Sequence, residues 1–259
     1  MPYDVRHPPA PGPDKEFPLH PAVGCWRAHA NLWSHIISSG ISSALILEDD
    51  ADFSVGIRDI MEGISLQLQD VIGAKDGEPY GLVNSNSWDM LSLGNCGYRL
   101  PDSRKNPKAT QKIRYWVDPY STERKDFLKH VPNIGSSHLR MLAPSKGNGC
   151  THGYAVTREG AMRLLYNVGG PGHILDEPVD LLMMRQAEQG LYKAFVVAPS
   201  VVGQWKYGDW RDTDIQRQKE GGSSRHWGSG PDIIRSVRKE IMEVLGNRNV
   251  WEEFESQEE

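Results

Sequence analysis

Apolar positions along the chain follow two periods, and together they predict helices alternating with short strands. Trp26, Ala30, Trp33 and Ile37 recur at helical spacing and predict a helix over 22–39, stopped by Gly40. Ile60, Ile64 and Leu68 predict a second helix over 57–71. Ala161, Leu164 and Leu165 predict a third over 158–167, with Thr157 as its N-cap. Leu181, Leu182 and Met184 predict a fourth, opening at Pro178 and stopping at Gly190. Ile233, Val237, Ile241 and Val244 give a last amphipathic helix. Between these, short apolar runs predict strands at 44–47, 88–93, 137–143, 151–156 and 194–198. Helices that alternate with strands in this way belong to the α/β class.

The run at 44–47 carries the chemistry. It is too short for a helix, is entered from Gly40 and a serine pair, and reads as a buried strand. Glu48, Asp49, Asp50 and Asp52 follow it at once. Open α/β sheets hold their ligands at the carboxyl ends of strands. Carboxylates this close repel one another, and a hard divalent cation with oxygen ligands, Mg²⁺ or Mn²⁺, would relieve that. A solvated acidic turn is the plain alternative. Two-metal hydrolysis also uses acids at a strand end, but the chain has no obvious second cluster of His and Asp.

Composition narrows the class. A 259-residue chain can build one large α/β domain or two small ones. A formal net charge of −5 gives no general attraction to nucleic acid or to anionic membrane. No apolar run is long enough to cross a bilayer, and the proline-rich first twenty residues lack the apolar core of a secretory signal. The compartment stays open. Cys25, Cys96 and Cys150 are scattered and specify neither a disulfide framework nor a zinc site.

Other segments admit two readings. Arg27, His29 and His35 on the first helix read as packing or surface residues, and Asp89 as a structural hydrogen-bonding acid. The basic stretch from Arg99 to Lys129 is either a lid over a diphosphate or a solvated loop. Trp205, Tyr207, Trp210, His226 and Trp227, in a glycine-rich polar stretch, are either sugar-stacking platforms or clips that hold a loop down. The acidic tail from Glu252 is expected to fray.

Taken in order, several segments resemble one family. Gly24-Cys25-Trp26-Arg27-Ala28-His29 leading to Leu45-Ile46-Leu47-Glu48-Asp49-Asp50 is similar to the hallmark of glycosyltransferase family 25. That family includes lipopolysaccharide and collagen galactosyltransferases. Trp88 to Gly94, His152 to Ala161, Pro178-Val179-Asp180 and Pro199 to Gln204 are similar to later segments of the same family. The resemblance covers residues 20–205, with a proline-rich segment at 1–19 and a loop, helix and acidic tail at 206–259.

The resemblance implies a GT-A-like, Rossmann-like mixed sheet flanked by helices. It also implies a UDP-sugar donor, a galactosyl or glucosyl group, a glycan or protein acceptor, Mn²⁺ or Mg²⁺, and transfer with inversion. Glu48, Asp50 and Asp52 would hold the metal, and Asp49, Asp52 and Gln204 the donor. Asp180, with Glu177 and Asp176 behind it, would be the base or the group that positions the acceptor; a plain acid in the first turn of a helix is the alternative for Asp180. His173 or His226 would complete the metal shell or serve as ordinary loop histidines. Family members open with a strand like Ile-Asn-Leu followed by basic residues. Here the proline-rich lead stands in its place, so the first βα unit is expected to be missing. A relative that kept the fold but binds only a carbohydrate or a partner is therefore the second reading.

Overall fold

The structure is a computed structural model that describes residues 20–74, 87–123, 138–169, 177–207 and 227–246. The proline-rich lead and the tail after 246 lie outside the described residues, as do Trp210 and residues 124–129 of the basic stretch.

Helix α1 (His20–Ser38) leads into β1 (Ser43–Leu47), β2 (Ala51–Phe53) and α2 (Ile57–Ile72). Then come β3 (Met90–Gly94), β4 (Gly97–Tyr98), the short α3 (Pro107–Thr110) and β5 (Arg114–Val117). After β6 (Leu139–Ser145), β7 (Asn148–Gly149) and β8 (Gly153–Thr157) the chain forms α4 (Arg158–Gly169) and α5 (Val179–Glu188). It closes with β9 (Ala194–Ala198), β10 (Val202–Gln204), β11 (Lys206–Tyr207), β12 (Trp227–Gly228) and α6 (Val237–Gly246).

Six strands form one mixed sheet in the order β1-β8-β3-β9-β6-β5. Only β3 and β9 pair in parallel; β8 runs antiparallel to both β1 and β3. The carboxyl ends of β1, β3 and β9 therefore share one end of the sheet with the amino end of β8. This mixed sheet with flanking helices is consistent with the Rossmann-like GT-A architecture.

Strand alternation sorts the core onto two faces. Ile46, Met90, Tyr154 and Val156 pack against α1, α4 and α5, with Trp26, Ala30 and Trp33 of α1 fully buried. Leu91, Leu93, Phe195 and Val197 face the other way, against Ile60, Ile64 and Leu68 of α2. Gly40 closes α1 at φ +69°, where the left-handed backbone suits glycine. Thr157 caps α4 by accepting the Gly160 N–H at 2.9 Å. A Cβ at Gly160 would lie 2.2 Å from the Asp89 carbonyl oxygen, so glycine there sets how closely α4 sits on β3.

Some expectations change. The 44–47 strand lies on the sheet edge, and among the described residues β1 pairs only with β8. Leu45 and Leu47 remain 54% and 41% exposed, because a strand with one neighbour covers fewer of its side chains. In α5 the inward face is Val179, Leu182, Met183 and Ala187, while Leu181 and Met184 are half-buried. The last helix starts at Val237, leaving Ile233 in the turn before it, and Ile241 is exposed. Cys96 and Cys150 form a disulfide, and Cys25 is free.

Candidate functional site

The acidic residues after β1 are pulled in different directions. β10 pairs with β2 beside them, opposing Gln204 to Ala51 and Gly203 to Asp52. That register brings Gln204 onto Asp50: its Nε2 donates to Asp50 Oδ2 at 2.6 Å, and the Trp205 N–H donates to the Asp50 carbonyl at 2.8 Å. Asp50 Oδ1 is buried and has no hydrogen-bond partner among the described residues. Burial pushes the Asp50 carboxyl above its usual range, the Gln204 hydrogen bond opposes this, and the charges of Glu48 and Asp49 push it further up.

Glu48 has its own, separate hydrogen-bond partners in a part-buried relay. Thr151 Oγ1 donates to Glu48 Oε1 at 2.6 Å, and His29 Nε2 lies 3.4 Å from the same oxygen. Behind it, His29 Nδ1 is 2.9 Å from the Tyr154 hydroxyl, which also receives the Trp33 indole N–H at 2.9 Å. An indole N–H only donates, so the network sends the phenol proton to Nδ1 and leaves Nε2–H facing Glu48. Burial raises the Glu48 carboxyl, but the bonds from His29 and Thr151 outweigh it and hold the group below its usual range. Both bonds fall on Oε1, which leaves Oε2 for a ligand.

His152 lies within the field of both acids. Burial pushes its imidazole below the usual range, against the charges of Glu48 and Asp50 and a hydrogen bond to the Val202 carbonyl. Gly94, at the end of β3, makes room for that ring: a Cβ there would lie 2.3 Å from His152 Cδ2. The Cys96–Cys150 bridge ties the turn after β3 to the segment that carries Thr151 and His152.

Asp52 stands apart. It is buried in β2, and its two oxygens accept from Ser236 Oγ at 2.5 Å and the Arg238 N–H at 3.2 Å. Those donors sit at the amino end of α6, where a carboxylate also meets the helix dipole. Asp49 is exposed, and its carbonyl accepts from the Arg238 guanidinium, whose Nε donates to the Ala51 carbonyl.

Asp180 lies in the first turn of α5, and its Oδ2 accepts the Cys150 N–H at 2.9 Å. The charges of Glu48 and then Asp180 add to burial in raising the Cys25 thiol. Glu177 is ion-paired with Arg185. Asp176, His173 and His226 lie outside the described residues. Asp89 accepts the Lys193 N–H at 2.7 Å and pairs with Arg163. Trp205 is buried.

Sequence reading passed over His29, Thr151 and Arg238 as site residues. The one local signal is the i, i+4 spacing of Cys25 and His29, which puts both on one face of α1. These two and Glu48 bring ligand-type atoms within 4.8 Å of one another.

Comparisons with known proteins agree on a family. Residues 20–87 match the model described as glycosyltransferase family 25 (LPS biosynthesis protein). The chain is similar to procollagen galactosyltransferase 1 of Danio rerio, at 24% identity over 143 residues, 55% of this chain and 17% of that protein. It is also similar to inactive glycosyltransferase 25 family member 3 of Mus musculus, at 28% over 72 residues, 28% of this chain and 10% of that protein. The human protein of the same name gives 29% over 72 residues. The matches thus span less than a fifth of those relatives' lengths. Over these stretches the chain is similar to glycosyltransferase family 25.

Proposed function

We propose that the chain transfers a hexose, galactose or glucose, from a UDP-sugar to an acceptor hydroxyl with inversion, assisted by Mn²⁺ or Mg²⁺. The observation that carries this reading is the buried Asp50 Oδ1, unpartnered among the described residues, beside Glu48 at the carboxyl end of the sheet. An orphaned buried oxygen costs folding free energy, and hard oxygen donors suit a divalent cation. Asp50 Oδ1 and Glu48 Oε2 would hold it. The cation, when bound, would supply positive charge against the diphosphate of the leaving nucleotide.

The chain's own residues do the rest. Gln204 fixes the Asp50 carboxylate through Oδ2, so Oδ1 stays presented. His29 and Thr151 fix Glu48 through Oε1 and keep it ionised. Asp180, held by the Cys150 N–H, takes the proton from the acceptor hydroxyl as the sugar moves. Glu177 is the lesser candidate for that proton because Arg185 already occupies it. Asp49 and Asp52 support the loop around the donor rather than touch the metal in this reading, since Arg238 and α6 engage them.

Calorimetry with a panel of UDP-sugars, with and without Mn²⁺, tests the reading. Metal-dependent binding of one UDP-sugar that disappears in Asp50→Ala is the expected result. The second reading, a relative that binds a glycan or a partner without catalysis, is favoured by the similarity to family members named inactive. Glycan binding with no need for nucleotide or metal would select it.

A further inference from the structure

At the opposite end of the sheet from the acidic residues lies a cavity of about 330 Å³. Its walls come from the amino end of β9, the carboxyl end of β6, the end of α5 and the segment around α3. Tyr192, Ala194 and Phe195 contribute to the β9 side. Lys108, Lys112, Lys146 and Lys193 also line it, and no carboxylate does.

The acids next to the lining in sequence are already engaged. Asp89 pairs with Arg163, Asp102 with Arg104, and Glu188 with Arg99. Each of those carboxylates has its own arginine, while Lys108, Lys112 and Lys146 form no ion pair among the described residues. The chain as a whole carries a net charge of −5, so this pole runs against the molecule's average. Lysines converging on a concave, partly apolar surface concentrate positive potential there. The volume is that of a small-molecule site and holds no more than a compact ligand. Lysine ammonium groups bind phosphate as point charges, without requiring the planar fork of arginine. The sequence signal is the basic stretch from Arg99 to Lys129, whose segment around α3 brings Lys108 and Lys112 to this cavity.

We propose that this cavity is a second binding site, for a small anion bearing at least two negative charges, of the phosphomonoester or diphosphate class. The site needs no metal and is independent of the transferase reading.

Inorganic pyrophosphate and, separately, glucose 6-phosphate would be titrated calorimetrically into the metal-free full chain. One saturable site for either probe is expected, weakening as salt rises; which probe binds tells a diphosphate from a phosphomonoester ligand. Lys108→Ala/Lys112→Ala should lower the affinity about tenfold. Both side chains are exposed, and an unchanged melting curve would verify folding. Asp50→Ala should leave this binding intact. The proposal fails if neither probe saturates, if the lysine double variant binds as well as wild type, or if Asp50→Ala abolishes binding, which would move the anion to the carboxylate end.

Discussion

Asp50, itself half-buried beside Glu48, keeps one buried carboxylate oxygen without a partner among the described residues. Asp50→Asn removes the charge while its amide oxygen can still accept from Gln204. In metal-free buffer the variant is expected to melt roughly 2 °C higher than wild type, because an uncompensated buried charge is lost. Adding Mn²⁺ should raise the wild-type melting temperature and leave the variant's unmoved; scanning fluorimetry reads both. Cys25 gives a second test at this scale. Burial, then Glu48 and Asp180, push its thiol up to about 12. Only the thiolate is nucleophilic, so iodoacetamide at about pH 8 should leave folded protein almost unlabelled. Unfolding without reductant should expose a single reactive thiol, with mass spectrometry as the readout. Fast labelling of the folded chain would contradict the geometry around Glu48.

Among the elements, those with a strong internal period were readable from sequence, and those made by distant partners were not. Helices α1, α2 and α4 bury one regular stripe each, so their apolar spacing sufficed. β2 and β10 are three residues each and exist because they pair with each other across some 150 positions. β5, Arg114-Tyr115-Trp116-Val117, sits in a polar basic stretch and is a strand through its pairing with β6. The same limit applies to the site. The acidic cluster was legible, but Glu48's partner Thr151 is 103 positions away and Asp52's partner Ser236 is 184 away. No local pattern distinguishes an acid that caps a remote helix from one that faces a ligand. One long-range contact makes a sharp prediction. Arg140, 1% exposed, reaches Asp118 and the carbonyls of Pro199 and Tyr120, joining the amino end of β6 to the β9–β10 connection. Arg140→Ala strands Asp118 as a buried charge and should cost about 3–5 kcal/mol in urea unfolding.

On the scale of the whole molecule, no further strand follows β1 at its edge of the sheet among the described residues. Leu45 and Leu47 are exposed on β1, which among the described residues has a neighbour on one side only. An apolar edge of this kind invites pairing between chains. Leu45→Lys/Leu47→Lys is expected to lower the apparent mass in light scattering at high concentration. Its cost in stability should stay within about 1 kcal/mol, as for other surface positions. The other global constraint is covalent. The Cys96–Cys150 bond closes a loop across a sequence separation of 54. Loop closure of that length is worth about 4 kcal/mol, so Cys96→Ser/Cys150→Ser should unfold at markedly lower urea than wild type. Because that staple sits next to Thr151 and His152, the purification buffer becomes an experimental variable in its own right. A sample kept in dithiothreitol and one kept in air are two different reagents, and a blank assay on the first would say nothing about the second.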